Sequence, residues 1–220
     1  MQNKLNRLTK ETLKLVSLQL ARQHKDLAHI IEKHGTPPLW ARQPGFPTLL
    51  QIILEQQVSL RAARSMFLRL KNATVPFTPE RFLELGEAHL KSLGLTRQKT
   101  AYCLHLSDSI VTRRLSLASL SRLSDDDVRT RLMEIKGIGL WSADIYLLMA
   151  LRRPDVWPAG DLALAIAATK IRERQIRLSP EELSRVASRW RPFRSVAARI
   201  LWHYYLCERN GKKQQAIVNQ

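Results

Sequence analysis

Apolar residues recur every three or four positions along most of the chain, which is the spacing of amphipathic helices. Near the N-terminus this pattern comprises Leu5, Leu8, Thr12, Leu15, Val16, Leu27, Ile30 and Ile31. It stops at Gly35-Thr36-Pro37-Pro38, where a glycine and two prolines disfavour a continuing helix. The sequence therefore predicts one long helix, or two, before this break.

Helix-start signals mark the later segments. Ser59 follows the polar segment Glu55-Gln56-Gln57-Val58, and Thr78-Pro79, Ser124-Asp125 and Ser179-Pro180 each place a hydroxyl side chain before a proline or an acidic first turn. A hydroxyl oxygen at such a position can accept a hydrogen bond from a first-turn amide. Each of these positions is predicted to begin a helix.

No segment shows the two-residue alternation of a half-buried strand. Near the C-terminus, Asn210-Gly211 suits the cap of a last helix. We therefore predict an all-α chain, with a single helical domain over residues 1–210 and a polar tail over residues 211–220.

The chain carries a large excess of positive charge. Among its 220 residues, 36 Lys and Arg oppose 19 Asp and Glu, which gives a formal net charge of +17 at pH 7. With 45% hydrophobic residues, this is the composition of a folded domain and not of a basic tail. Because neutralising phosphates releases condensed counterions, nucleic acid is the predicted partner. The longest apolar run, Leu162–Ala168, has seven residues and is too short to span a membrane.

Cysteine and histidine usage limits the possible sites. Cys103 and Cys207 cannot form a disulfide framework, and the N-terminus lacks the apolar core of a secretory signal, so we expect a cytoplasmic protein. His24, His29 and His34 are five residues apart, which distributes them around a helix instead of along one face. We interpret them as surface residues and predict no metal site.

Residues 132–143 form the most informative segment, Leu-Met-Glu-Ile-Lys-Gly-Ile-Gly-Leu-Trp-Ser-Ala, between two apolar helical patterns. Gly137 and Gly139 permit backbone conformations closed to other residues and leave the amides of the next helix uncovered, so the turn can seat a phosphate. Ile138 would anchor the turn in the core, and Lys136 would add charge at its rim. The same pattern also fits a plain tight turn between helices.

Five blocks follow one another along the chain: Leu54-Glu55-Gln56-Gln57-Val58-Ser59; Leu93-Gly94-Leu95 with Arg97 and Lys99; Ile135-Lys136-Gly137-Ile138-Gly139-Leu140-Trp141-Ser142-Ala143; Pro158-Ala159-Gly160-Asp161-Leu162; and Trp190-Arg191-Pro192-Phe193-Arg194-Ser195. In this order they resemble the helix-hairpin-helix (HhH-GPD) DNA glycosylase superfamily, most closely its alkylpurine branch, DNA-3-methyladenine glycosylase II. The resemblance extends from Phe46 to about Trp202.

This resemblance implies an HhH-GPD glycosylase fold, with two packed helical subdomains and a cleft between them that accepts a base turned out of the duplex. It implies a DNA phosphate-binding hairpin made of Lys136, Gly137, Ile138, Gly139, Trp141 and Ser142. It further implies a monomeric, nucleoid-associated enzyme that acts on double-stranded DNA containing alkylated bases and uses no cofactor or metal. Arg194 and Ser195 are expected to support the loop that carries Asp161.

By the same resemblance, Asp161 is the catalytic residue. Cleavage of an N-glycosidic bond develops positive charge on the sugar, and a carboxylate beneath that ring can stabilise the charge and orient or deprotonate a water. The residues alone also allow a simpler role, in which Asp161 caps a helix from Leu162 to Ile171. The two roles do not exclude each other.

The base pocket is expected to be aromatic, because alkylated purines carry a positive charge that binds electron-rich ring faces. Family position indicates Trp141 and Trp202 for this pocket, with Tyr146 and Trp40 as weaker candidates and Gln56 as a lining residue. Gln57 is the expected wedge that enters the DNA, while Glu55 and Ile145 depart from residues common in the family.

Members of the superfamily that also cleave the strand carry a lysine two residues after the second hairpin glycine, where this chain has Trp141. The four-cysteine cluster of other branches is also missing. The resemblance therefore implies a monofunctional glycosylase that removes 3-methyladenine or 7-methylguanine type bases and starts base excision repair. The alternatives are a non-catalytic, lesion- or shape-specific DNA-binding protein of the same fold and, less favoured, a glycosylase for oxidised or deaminated bases.

Overall fold

A computed structural model describes residues 5–218, with side chains as far as residue 209. Over this part of the chain the secondary structure is helical, without strands, which confirms the predicted all-α class. The α-helices are α1 (Lys10–Gln23), α2 (Lys25–His34), α3 (Phe46–Glu55), α4 (Leu60–Ala73), α5 (Pro79–Glu84), α6 (Gly86–Ser92), α7 (Arg97–Val111), α8 (Asp125–Met133), α9 (Leu140–Met149), α10 (Leu162–Ile171), α11 (Pro180–Ser188) and α12 (Arg194–Val218). A short 3-10 helix, Leu120–Arg122, precedes α8.

The helices form two compact units. The central unit, Arg42–Leu151, contains α3 to α9. The terminal unit combines the described residues up to Ala41 with those from Arg152 onward, and contains α1, α2, α10, α11 and α12. The terminal unit thus combines segments from both ends of the chain, and the central unit lies between them in the sequence. The sequence shows no flexible linker at the boundaries between the two units.

In the central unit, α3 is strongly apolar and lies against α4, α7 and α9. Its side chains Leu49, Leu50, Ile52 and Ile53 are almost completely buried. Burying each such side chain contributes about 1.5–3 kcal/mol relative to leaving it exposed. This burial fixes the C-terminal end of α3. The polar residues Gln56 and Gln57 follow directly after this end.

In the terminal unit, α12 contacts α1, α2, α10 and α11. Consecutive residues of α12, from Ser195 to Trp202, are buried because other helices surround this part of it. On α1 the buried residues are Leu13, Val16, Ser17 and Leu20, whereas Leu15 is 67% exposed. The predicted apolar face therefore included one solvent-exposed leucine.

The predicted helix starts are confirmed. Ser59, Thr78, Ser124 and Ser179 are the N-cap residues of α4, α5, α8 and α11, and each side chain accepts a hydrogen bond from an amide three residues later. The N-terminal pattern forms two helices, which meet at His24. These features depend on neighbouring residues only, which is why the sequence reveals them.

Two predictions on local structure are wrong. Helix α12 does not end at Asn210-Gly211 but continues to Val218, so residues 211–218 are not an irregular tail. One helical glycine costs only about 1 kcal/mol, and the Lys, Gln and Ala residues that follow Gly211 favour helix. His34 is not a surface residue, since its side chain is 13% exposed and its ring contacts His203 and Tyr204 on α12. Burial lowers the pKa of His34.

None of the described helices is long and apolar enough to cross a bilayer. Within the same residues, no group of three or more His, Cys, Asp and Glu side chains is placed to hold a metal ion.

An ion-pair network in the terminal unit predicts a pH effect on stability. The Glu208 carboxylate accepts hydrogen bonds from Lys170 and, at 2.9 Å, from Lys33, and these bonds lower its pKa from 4.5 to about 2. A lowered carboxyl pKa adds stability above the pKa of the unfolded state, and this stability is lost as the pH falls through the folded-state value. We expect Glu208→Gln to be less stable than the parent protein at about pH 6, and the difference to shrink as the pH falls towards the folded-state pKa of about 2.

Thermal denaturation of both proteins across this pH range measures the effect. Glu87→Gln is the matched control, because Glu87 pairs with Lys91 on the exposed surface of α6 and its pair contributes little. A difference between the Glu208→Gln and parent proteins that stays constant down to about pH 2 would contradict the assigned network.

Candidate functional site

The hairpin between α8 and α9 spans Glu134 to Gly139. At one of its two glycines, Gly137, the backbone conformation and the neighbouring side chain leave no room for another residue type. Gly137 has a φ of +91°, a left-handed conformation that disfavours side chains. A Cβ atom added there would lie 2.2 Å from Cγ of Tyr102, so the Tyr102 ring directly covers this glycine. The prediction of special backbone geometry is confirmed at Gly137.

Gly139 differs from that prediction. Its φ is −94° and its ψ is −179°, which any residue can adopt, and an added Cβ would meet no protein atom within 4 Å. Gly139 is the N-cap residue of α9 and provides no side-chain cap. The first amides of a helix have no partner within the helix and attract anions, so a bare N-cap leaves room for an external phosphate.

The hairpin is anchored as predicted. Ile138 is 4% exposed, and its amide donates a 2.9 Å hydrogen bond to the Ile135 carbonyl. The Lys136 side chain is exposed, while the Lys136 amide donates to Nδ1 of His105 at 3.1 Å. The apolar residue thus fixes the turn and the lysine extends from its rim.

Gln56 connects the end of α3 to the hairpin. Its Nε2 donates to the Gly137 carbonyl at 2.8 Å and to Oγ of Ser142 at 2.9 Å. The next residue, Gln57, is exposed and has a φ of +56°. The structure therefore joins Gln56 with Gly137 and Ser142, and places Gln57 outward beside them.

Glu55, the departure from the family pattern, has a structural partner. Arg42 forms a two-pronged ion pair with it, from Nη1 to Oε2 at 3.0 Å and from Nη2 to Oε1 at 2.9 Å, and Gln51 also donates to Oε1. The Glu55 side chain is 8% exposed. This pair fixes the residue that immediately precedes Gln56.

Lys99, from the second block of the resemblance, also supports this region. Its Nζ donates to the Leu54 carbonyl at 2.7 Å, where α3 ends and carbonyls lack helical partners. Burial lowers the pKa of Lys99. The lysine thus serves as a cap for α3 within the central unit.

Two aromatic pocket candidates lie in the central unit. Trp141 is half-buried in the first turn of α9. Tyr146 is completely buried, and its hydroxyl accepts a 3.2 Å hydrogen bond from the Gly45 amide. Burial raises the pKa of Tyr146. This geometry gives Tyr146 a packing role at the start of α3, and its contact with a base stays a prediction.

Asp161 lies in the terminal unit and caps α10. Its Oδ1 accepts hydrogen bonds from the Leu164 amide at 2.9 Å and from Nε1 of Trp202 at 3.1 Å. Asp161 is 8% exposed and Trp202 is 9% exposed. The capping role considered from the sequence is therefore present. The structure also brings Asp161 together with Trp202, which the sequence placed in the same site by family position only.

The loop that leads to Asp161 is held by the first turn of α12. Arg194 binds the Asp155 carboxylate from Nε at 2.8 Å and from Nη2 at 3.0 Å. Oγ of Ser195 accepts from the Val156 amide at 2.8 Å and donates to the Val156 carbonyl at 3.1 Å. Both residues therefore support this loop, as the resemblance implied.

Trp40, the weaker aromatic candidate of the terminal unit, is half-buried with a φ of +47°. Its ring lies 6.4 Å from that of His203 on α12.

Two residues that shape the hairpin, Tyr102 and His105, were not identified by the sequence analysis. They belong to no motif, and their only local signal is a shared face of α7 beside Gln98.

A family model described as HhH-GPD superfamily base excision DNA repair protein matches residues 50–192. Over 185 residues, the chain is 27% identical to YfjP of Bacillus subtilis (strain 168), which carries the name of a DNA-3-methyladenine glycosylase. This alignment covers 80% of the chain but only 64% of YfjP. The chain is also 26% identical over 206 residues to DNA-3-methyladenine glycosylase 1 of Schizosaccharomyces pombe (strain 972 / ATCC 24843), covering 89% of this chain and 86% of that protein.

Among solved structures, the 3-methyladenine DNA glycosylase Mag1 of S. pombe in complex with abasic DNA superposes with a TM-score of 0.75. It is 22% identical and the match covers 85% of this chain and 94% of Mag1, a likeness that shows the fold. The family match spans more than half of the sequence and contains Gln56, the hairpin and Asp161. With this match and the shared fold, the chain belongs to the HhH-GPD superfamily of base excision DNA repair proteins.

Proposed function

We propose that this protein is a DNA glycosylase that removes alkylated purines of the 3-methyladenine and 7-methylguanine type from double-stranded DNA. The names of the similar proteins from B. subtilis and S. pombe support this substrate class. The observation that carries the proposal is the Asp161 carboxylate, held in one orientation by the Leu164 amide and the Trp202 indole.

In the proposed reaction, the bond between the sugar C1′ and the base nitrogen breaks and its electron pair leaves with the base. The sugar becomes an oxocarbenium-like cation, which Asp161 stabilises electrostatically. A water then adds to C1′ and gives up one proton, which Asp161 can accept. The products are the free base and an abasic site. An alkylated purine is already positively charged and needs little further activation to leave.

The start of α10 suits this role of Asp161. A helix N-terminus favours negative charge, because its amide dipoles point toward the carboxylate. The hydrogen bonds from Leu164 and Trp202 leave the side chain little rotational freedom, so little reorganisation is needed when charge develops on the sugar. Trp202 donates a hydrogen bond to this carboxylate, and we assign it as the aromatic residue that contacts the extruded base.

The central unit supplies the DNA contacts in this proposal. The amides at the bare N-cap Gly139 and the Lys136 side chain bind a backbone phosphate. Gln57, exposed at a left-handed position, enters the space left by the extruded base and offsets part of the few kcal/mol of lost stacking. A contact of Trp141 with the base stays a prediction, while Gln56 fixes the hairpin.

We further propose that the enzyme does not cleave the DNA strand. Strand cleavage in this superfamily uses a lysine that forms an imine with the sugar, and Trp141 occupies the corresponding position. The fold itself does not decide this point, because glycosylases with and without lyase activity share it. The proposal therefore depends on the identity of residue 141.

One assay tests the proposal. We expect the purified protein to release 3-methyladenine or 7-methylguanine from methylated duplex DNA, as measured by chromatography of the free bases. The DNA strands should stay intact until alkali cleaves the abasic sites, and borohydride should trap no covalent complex. Binding without base release would indicate a non-catalytic DNA-binding protein. A borohydride-trapped complex would indicate a lysine mechanism and exclude the proposed monofunctional reaction.

A further inference from the structure

A row of residues on α7 faces the hairpin, and the proposed reaction assigns it no contact with DNA. Gln98, Tyr102 and His105 line a groove of about 520 Å³ in the central unit, together with residues of the hairpin. Their spacing of four and three residues places them on one face of α7. This face belongs to none of the motifs recognised in the sequence.

The α7 face and the hairpin form one rigid wall. The Tyr102 ring lies so close to Gly137 that a Cβ atom there would overlap it, at 2.2 Å from Cγ and 2.3 Å from Cδ2. One helical turn further on, Nδ1 of His105 accepts a 3.1 Å hydrogen bond from the Lys136 amide. A ligand bound to the hairpin is therefore also adjacent to this face of α7.

The face presents hydrogen-bond donors. The Tyr102 hydroxyl accepts from Nε2 of Gln98 at 2.8 Å, so its own hydrogen points away from Gln98. Because Nδ1 of His105 is an acceptor, the neutral ring carries its proton on Nε2, which is then a donor. The exposed Lys136 ammonium adds a positive charge beside them. The carboxylate that lines the same groove, Glu134, lies 3.7 Å from the Arg131 guanidinium.

We propose that this face of α7 binds a second phosphodiester of the DNA strand, next to the phosphodiester held by the hairpin amides. Neutral donors beside a lysine match anionic oxygens that carry no proton. Successive phosphates follow each strand closely, so a wall continuous with the hairpin meets more than one of them. The proposal rests on the proposed function in one respect, that the hairpin binds DNA.

Tyr102→Phe is the sharpest test, because phenylalanine keeps the ring that packs on Gly137 and removes only the hydroxyl. We expect the Kd for a duplex with an abasic-site analogue to rise about 3- to 10-fold, the loss of one hydrogen bond. The slope of log Kd against log salt should stay unchanged, since no charge is removed. Lys136→Gln should instead reduce this slope by about one. Fluorescence anisotropy at several salt concentrations measures both.

His105→Asn gives a second, independent variant. The asparagine Oδ1 can replace Nδ1 as acceptor of the Lys136 amide, while the Nε2 donor is lost.

Duplexes in which one phosphodiester is replaced by an uncharged methylphosphonate identify the phosphate that Tyr102 contacts. At one linkage near the lesion, the difference in Kd between the parent protein and Tyr102→Phe should disappear.

The proposal is overturned if both variants bind DNA as tightly as the parent protein, or if the Tyr102→Phe effect persists at every methylphosphonate position. Circular dichroism establishes that each variant is folded. A failure of the proposed glycosylase activity is distinguishable, because the parent protein would then bind DNA without releasing base. The comparison of Kd values stands in that case as well.

Discussion

Replacing Asp161 by asparagine is expected to reduce base release by about 10²- to 10⁴-fold, the contribution typical of a positioned acid–base group. Asparagine removes the negative charge that stabilises the cationic sugar. It retains Oδ1, which accepts the hydrogen bonds from the Leu164 amide and the Trp202 indole. Asn and Asp are also similar as N-cap residues, so α10 should keep its start. Single-turnover release of 7-methylguanine from methylated duplex DNA measures the effect.

This substitution separates the two roles of Asp161. Thermal unfolding of Asp161→Asn should match that of the parent protein, and its affinity for duplex DNA should be retained. Asp161→Ala is the control that removes both roles, and it should also lose about 1 kcal/mol of stability through the missing cap. If Asp161→Asn releases base at the parent rate, the aspartate is only a helix cap and the proposed mechanism is wrong.

Gly137→Ala is expected to weaken DNA binding strongly and to lower the free energy of unfolding. A non-glycine residue at a φ of +91° is strained by about 1–3 kcal/mol. The new methyl group would also overlap the Tyr102 ring, so the hairpin or α7 must move. The Gln56 hydrogen bond to the Gly137 carbonyl would be displaced with the hairpin. Chemical denaturation and anisotropy with duplex DNA measure the two effects.

Gly139→Ala is the matched control for this prediction. Its backbone is not left-handed and an added Cβ meets no protein atom within 4 Å, so the variant should lose much less stability than Gly137→Ala. It should nevertheless bind DNA more weakly, because the methyl group occupies the place we assign to a phosphate. Equal losses of stability in the two variants would contradict the geometry of the hairpin. Parent-like DNA binding by Gly139→Ala would contradict the phosphate assignment.

The helix boundaries were largely predictable because they depend on neighbouring residues. A serine, threonine or aspartate reaches amides only three positions away, and the caps at Ser59, Thr78, Ser124, Asp161 and Ser179 confirm this. The errors concern less local effects. The last helix passes through Asn210-Gly211. The His34 ring is largely covered by contacts with His203 and Tyr204 of α12, which are far away in the sequence.

The functional residues divide in the same way. Asp161 and the Gly-Ile-Gly hairpin are recognisable because short motifs carry them. Gln56 donates a hydrogen bond to the Gly137 carbonyl, 81 residues away. Nothing in the sequence around either residue indicates this contact. Glu55 was noticeable only as a departure from the family pattern until its pairing with Arg42 was known.

For this protein the sequence alone determined the all-helical class, the caps, the excess positive charge and the residues that carry family motifs. Each of these follows from composition or from contacts within one or two helical turns. Only the tertiary structure decided that Tyr102 covers Gly137, that His105 accepts from Lys136, and that Trp202 donates to Asp161. Such contacts arise when separate helices pack together, so they depend on the whole core and not on any local spacing.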